Sequence, residues 1–216
     1  MANQETAYGL RPIGMVGSGP NSTGITEYEI ASGNTNVIYN GGIVVPLASG
    51  YIDYAGDTAG GTTQALGVLT GVMYQDSVRK QPVWLDYWPG SGAVSVDTNH
   101  PVRAYVADNP NQLFQVSSDA SLTNRATAVA TIFANTDLGT SARTGSTDTG
   151  KSNSQASVAN VNTTATLPLR IVGIVDDDAN SDYTAAGIPL IVRLNAHFNA
   201  ATRAFASNTT ADSTGL

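Results

Sequence analysis

Apolar residues in this chain come in short runs rich in Val, Ile, Tyr and Trp, and clusters of Gly, Pro, Asn and Asp separate them. Runs of this length and composition suit a pleated, half-buried surface better than a helix. The pattern predicts strands over 27–31, 37–39, 43–47, 66–74, 83–88, 102–107, 113–116, 167–175 and 189–195. Between them, Asn40-Gly41-Gly42, Ala59-Gly60-Gly61, Pro89-Gly90-Ser91-Gly92 and Asp108-Asn109-Pro110-Asn111 supply the positive-φ or fixed-φ positions of tight turns. The expected fold is therefore all-β: an antiparallel sandwich or barrel, jelly-roll-like, with at most one short helix. The helix candidate carries Leu122, Ala126, Val129, Ala130 and Phe133 at helical spacing behind the cap candidates Ser118 and Asp119. Thr123, Thr127 and Thr131 weaken it, and a strand over 128–134 is the competing reading.

Three segments lack this pattern. Residues 1–24 are polar, with glycines at 9, 14, 17, 19 and 24 and prolines at 12 and 20, and read as an extended N-terminal arm that becomes ordered on a neighbouring molecule. Residues 139–164 are Ser, Thr, Asn and Gly with almost no large apolar side chain, which predicts a long polar loop. Residues 204–216 have the same composition and read as a flexible C-terminal tail. A single β-rich domain over 25–203 remains.

Composition sharpens the picture. Hydrophobic residues make up 41% of the 216, enough for a core, but charged residues only 12%, about half the usual 25%. With little charge to repel neighbouring copies, the chain looks built to be surrounded by protein. A net charge of −7 opposes binding to a phosphate backbone, and Arg79-Lys80 is the only adjacent basic pair, so nucleic acid is not an expected partner. No apolar run approaches the ~18 residues of a membrane span, and the start lacks the basic and apolar regions of a secretory signal. A product made in the cytoplasm, with no membrane partner, is expected. The absence of cysteine removes disulfides, thiol nucleophiles and thiolate metal sites.

Candidate chemistry is sparse. Asp176, Asp178, Asn180 and Asp182 alternate like the start of a calcium loop, but Ser181 stands where the central Gly belongs and Gly187 where the closing Glu belongs. A solvated acidic turn is the simpler reading, and no metal site is assigned. His100 precedes Pro101 as a turn residue, and His197 follows the last strand in a structural role. No Gly-x-Ser-x-Gly occurs, the Gly14, Gly17 and Gly19 cluster joins no strand to a helix, and nothing points to the acid pair of a glycosidase. No catalytic residue and no cofactor is expected. The segment Val83-Trp84-Leu85-Asp86-Tyr87-Trp88 holds both tryptophans, and strand alternation puts Trp84, Asp86 and Trp88 on one face. They fill a core, anchor a subunit interface or stack on sugar rings.

Several segments, taken in order, carry a resemblance: Ala7-Tyr8-Gly9-Leu10-Arg11-Pro12, Tyr87-Trp88-Pro89-Gly90, Ala104-Tyr105-Val106-Ala107-Asp108-Asn109-Pro110 with Phe114, Leu167-Pro168-Leu169-Arg170-Ile171-Val172-Gly173, and Leu194-Asn195-Ala196-His197. In that order they resemble a family of small virion structural proteins of tailed phages, whose members act as capsid cement or decoration proteins. Pro12-Ile13-Gly14-Met15 departs from the more basic continuation of relatives. The resemblance implies a non-enzymatic late protein on the outer surface of the virion, with the major capsid protein of the shell as partner. It also implies self-association, a homodimer at lattice two-folds in preference to a trimer. On that footing Tyr8, Leu10, Arg11 and Pro12 are the expected capsid anchor, with Trp84 and Trp88 at a subunit interface. The alternatives are a glycan- or receptor-binding β-module on a virion or cell surface, and a head–tail connector or tail structural protein.

Overall fold

The alternation of apolar and polar residues becomes two antiparallel sheets in the computed structural model, which describes residue 3 and residues 7–17, 24–55, 64–139 and 145–200. Along the chain run β1 (Arg11–Met15), β2 (Ile25–Ile30), β3 (Ile43–Pro46), β4 (Ile52–Tyr54), β5 (Gly67–Gln75), β6 (Pro82–Leu85), β7 (Val102–Ala107), β8 (Gln112–Ser117), α1 (Arg125–Ala130), β9 (Asn135–Thr136), β10 (Leu169–Ile174) and β11 (Pro189–Leu194). The first sheet has the order β1-β8-β11-β10-β9, and the second the order β2-β7-β5-β3-β4 with β6 also paired to β5. The fold is an all-β sandwich. No helix among the described residues is long and apolar enough to cross a membrane.

Two cores result. In one, Phe114, Val116, Leu169, Ile171, Leu190 and Val192 of the first sheet pack with Ile43, Val68 and Ala107 of the second. In the other, Val44, Leu69, Val72, Val102, Ala104 and Val106 on the opposite face of the second sheet pack with Ile30, Ile38 and Trp88. The second sheet is thus buried on both faces where β3, β5 and β7 meet. A bulge in β5, where the register shifts between Leu69 and Gly71, makes this work. An extra residue in a strand reverses which face every later side chain takes. Val72 and Tyr74 therefore join Leu69 in the second core, and Met73 turns to the opposite face. The polar groups of the bulged Thr70 are satisfied, its hydroxyl donating to Tyr105 O at 2.9 Å and its carbonyl accepting from Asn40 Nδ2 at 2.7 Å.

The segment expected as a free arm is, where described, part of the protein's own fold. β1 pairs with β8, and Leu10 is 1% exposed in the first core. Leu10 N–H donates to Gly41 O at 2.9 Å, and Gly9, at φ +76°, crosses Gly41 so closely that a Cβ on it would stand 2.9 Å from the Gly41 carbonyl oxygen. Asn3 donates to Asp182 O and Ala186 O. The glycines that read as breakers here permit a close backbone crossing.

The polar segment 139–164 is likewise packed over 145–164. Gly145 and Gly150 accommodate the rings of Tyr39 and Tyr87, each of which would collide with an added Cβ. Ala156 is fully buried and bridges Ser118 and Leu138. Ser152 and Ser154 are buried with their hydroxyls 2.8 Å apart. Small side chains that satisfy one another's hydrogen bonds can be ordered without large apolar groups.

The helix spans only Arg125–Ala130, and its N-cap is Asn124, whose Oδ1 accepts from Thr127 N–H at 2.9 Å, not Ser118 or Asp119. Those two residues hold other backbone segments: Ser118 Oγ accepts from Ile188 N–H, and Asp119 from Val158 N–H. Phe133, at φ +75°, turns the chain out of the helix into β9. The Ala59-Gly60-Gly61 turn and the tail at 204–216 lie outside the described residues.

Candidate partner-binding face

The pairings of the second sheet define a row of side chains that shares a face with the first core but runs past its edge. Directly opposed residues project to the same side, so Glu29, Arg103, Met73 and Trp84 line up across β2, β7, β5 and β6, and beside them stand Glu27, Tyr105 and Gly71. On this face Ile43, Val68 and Ala107 are covered by the first sheet. Three to five residues further along β5, and two to four along β7, the covering thins and Gly71, Met73, Tyr105 and Arg103 are half-buried. Trp84 is 62% exposed, and Ile25, opposite Ala107, is 48% exposed.

The uncovered stretch is organised by one aromatic pair. Trp84 stacks on Tyr105, ring centroids 5.1 Å apart and planes 19° from parallel. Gly71 faces Tyr105 across the ladder and carries no side chain between the rings. At the rim Arg103 Nη1 donates to Glu27 Oε1 at 2.9 Å, both side chains being about half exposed. Such a pair contributes at most about 1 kcal/mol in solution. An aromatic centre with a charged rim is the anatomy of a protein contact, in which a few desolvated aromatics carry most of the energy.

Trp88 does not belong to this face. β6 ends at Leu85, the alternation breaks at Asp86, and Trp88 pairs instead with Ile38. It is fully buried in the second core, edge-on to Tyr74 at 6.2 Å, with its Nε1–H donating to Asn34 O at 3.1 Å. Asp86 meets Lys151 at 3.4 Å, and Tyr87 stacks on Tyr39. Of the two tryptophans expected at an interface, one is core and one is surface.

The four N-terminal candidates separate in the same way. Leu10 and Tyr8 are buried, Leu10 within the first core. Arg11 lies with its guanidinium 3.8 Å over the Tyr8 ring, a cation–π contact. Arg11 and Pro12 are exposed on β1, an edge strand of the other sheet. The structure does not bring them together with Trp84 in one row. Tyr105, Met73, Arg103 and Ile25 were missed. Alternation in Val102-Arg103-Ala104-Tyr105-Val106 was the signal for two of them, since it sets Arg103 and Tyr105 opposite the buried residues.

The remaining candidates are used locally. Asp177 caps a 3₁₀ turn, accepting from Ala179 N–H and Asn180 Nδ2, bonds that hold its carboxyl below the usual carboxylate range. Asp182 accepts from both the hydroxyl and the N–H of Thr184, and Asp176 faces Arg125 at 3.6 Å. These carboxylates serve nearby groups and do not converge. His100 is exposed at a turn, where its N–H donates to Asp97 O. His197 is buried, its Nδ1 accepting from Asn199 N–H at 3.0 Å.

Comparison with protein-family models, with curated proteins and with solved structures finds no match to this chain.

Proposed function

We propose that this chain is a decoration (cement) protein of a tailed-phage head, a non-enzymatic shell component that binds the lattice of the major capsid protein and braces it against packaged DNA. The observation that carries the reading is the uncovered stretch of the second sheet, where Trp84, Tyr105 and Met73 continue a face that is core at its other end. The low charge content and the ordered resemblance of short segments support the same class. The Trp84–Tyr105 pair replaces the N-terminal segment as the main anchor, because Leu10 is committed to the protein's own core.

A cement protein adds contacts between capsomers that are weak in the bare shell. A subunit that pairs with a second copy grips two capsid sites, so its second contact forms at high effective concentration and modest interfaces sum to a firm brace. A central aromatic in such a contact contributes about 2 kcal/mol or more. The test is decoration of heads stripped of this protein. Trp84→Ala is expected to lower occupancy at limiting protein by at least about tenfold, with Val78→Ser as the control for an exposed apolar residue elsewhere. Equal occupancy for Trp84→Ala and wild type would refute the assignment.

A second reading rests on the same pair: two near-parallel aromatic rings with Arg103 and Glu27 at the rim also suit a sugar ring. A glycan array separates them, since a hit that Trp84→Ala abolishes would favour the carbohydrate-binding module.

A further inference from the structure

A cleft of about 360 Å³ opens at the junction of the two sheets, lined by Pro110 and Asn111 of the β7–β8 connection and by Arg193, Asn195, His197 and Asn199 at and after the end of β11. Two of its lining side chains carry buried nitrogens without a hydrogen-bond partner among the described residues, Arg193 Nε and His197 Nε2. Both are donors. The His197 ring is 1% exposed, and because its Nδ1 already accepts from Asn199 N–H, the proton of the neutral ring resides on Nε2. Burial keeps that ring neutral at physiological pH, pushing it down to about 4 despite a pull from Asp108 in the other direction.

The local charge is positive, with Asp108 as a nearby carboxylate. Arg193 stands directly opposite Arg170 in the β10–β11 ladder, a like-charge pairing that a sheet ordinarily avoids. Arg170 Nε donates to Asn135 Oδ1, and neither guanidinium forms an ion pair with a described residue. Asp108, which acts on His197, is engaged: it accepts from Thr26 Oγ1, from the Tyr28 hydroxyl at 2.6 Å and from Asn199 Nδ2. Buried donors without acceptors are costly, and a charged one most of all. Among the described residues no acceptor, Asp108 included, reaches either nitrogen, and a group with one negative charge would serve both. A dianion would meet the Asp108 carboxylate beside it, whereas a carboxylate offers two oxygens to an Arg Nε–H and an imidazole N–H in the planar geometry that Arg favours.

We infer that this cleft is a binding site for a carboxylate group, with Arg193 and His197 as its donors and the Asn111, Asn195 and Asn199 amides around them. The site is separate from the Trp84 face and stands or falls independently of it. The carboxylate belongs either to a small organic acid or to a Glu or Asp side chain of a docked protein, and one titration distinguishes the two.

Isotope-labelled full-length protein is titrated at pH 7 with sodium acetate, sodium succinate, an acetylated and amidated Gly-Glu-Gly peptide, and inorganic phosphate, while NMR follows the Arg193 Nε–H and His197 Nε2–H signals. Both signals are expected to shift and saturate with a carboxylate, and phosphate to bind more weakly. Saturation by acetate or succinate identifies a small acid, and saturation by the peptide alone identifies a protein side chain. Arg193→Lys keeps the charge but loses the Nε–H, and is expected to weaken binding about tenfold. Should that variant misfold, the His197 signal of the unmodified protein decides alone. Signals that no carboxylate moves, phosphate binding as tight as carboxylate, or undiminished binding by folded Arg193→Lys would overturn the proposal.

Discussion

One face of the second sheet presents Ile43, Val68 and Ala107 at one end, and Met73, Tyr105 and Trp84 at the other. The backbone is the same pleated ladder throughout, and large apolar side chains stand at both ends, joined at the second by Glu27, Glu29 and Arg103. At the first end a second sheet lies across the face, and these residues are at most 2% exposed. At the second end Met73 and Tyr105 are half-buried, and Trp84, which lies over Tyr105, is 62% exposed. Whether an apolar row is core or exposed surface is therefore decided by how far the neighbouring sheet reaches. Trp84 and Trp88 reduce the contrast to two residues, one packed beneath the sheet and the other standing on its open side.

Substitution at the two tryptophans should separate the ends most sharply. Trp88→Ala removes a fully buried ring and its bond to Asn34, and is expected to cost about 3–5 kcal/mol of unfolding free energy. Trp84→Ala should cost about 1 kcal/mol or less, read by urea denaturation of both variants. Comparable losses would mean that the open face is structural.

Proton linkage at His197 gives the next largest effect. Burial lowers this group from 6.5 to about 4, so the native state holds the ring neutral while the unfolded chain protonates it. Its contribution is fully present above pH 6.5 and is lost as pH falls through about 4, a difference of about 3 kcal/mol. Subtracting the pH–stability profile of His197→Gln from that of wild type should isolate this slope between pH 6.5 and 4. A flat difference would contradict the buried, neutral ring.

Gly9→Ala should destabilise by about 1–3 kcal/mol, because the residue has φ +76° and its Cβ would press on Gly41. Protection of β1 amides from hydrogen exchange should fall more than that of β7 amides. A neutral outcome would mean that the N-terminal strand is dispensable to the fold. The smallest effect belongs to the rim: a double-mutant cycle on Arg103 and Glu27 should give at most about 1 kcal/mol in stability, and a larger coupling would mark the pair as structural.

Parts of both sheets could be read from the chain, because β7 in the second and β11 in the first alternate between buried and half-exposed positions over most of their length. β1 could not, since Gly9, Pro12 and Gly14 resemble a linker until Gly41 is known to cross there. β4 is only three residues long, too short to announce a period. The packed course of 145–164 was hidden for another reason: its order comes from small residues against Tyr39 and Tyr87 rather than from large apolar groups. For the site, residue type pointed to Trp84, and alternation could have pointed to Tyr105. The bulge at Thr70, which turns Met73 to the open side, and the limited reach of the first sheet are properties of register and topology. No local pattern encodes them.

Hydroxyl-radical footprinting of the protein free and bound to phage heads tests the central claim most directly. If the uncovered end of the second sheet is the contact surface, oxidation of Trp84 and Met73 should drop severalfold on decoration while exposed Phe133 and Phe198 remain as reactive as before. Unchanged labelling of Trp84 and Met73 on fully decorated heads would contradict it.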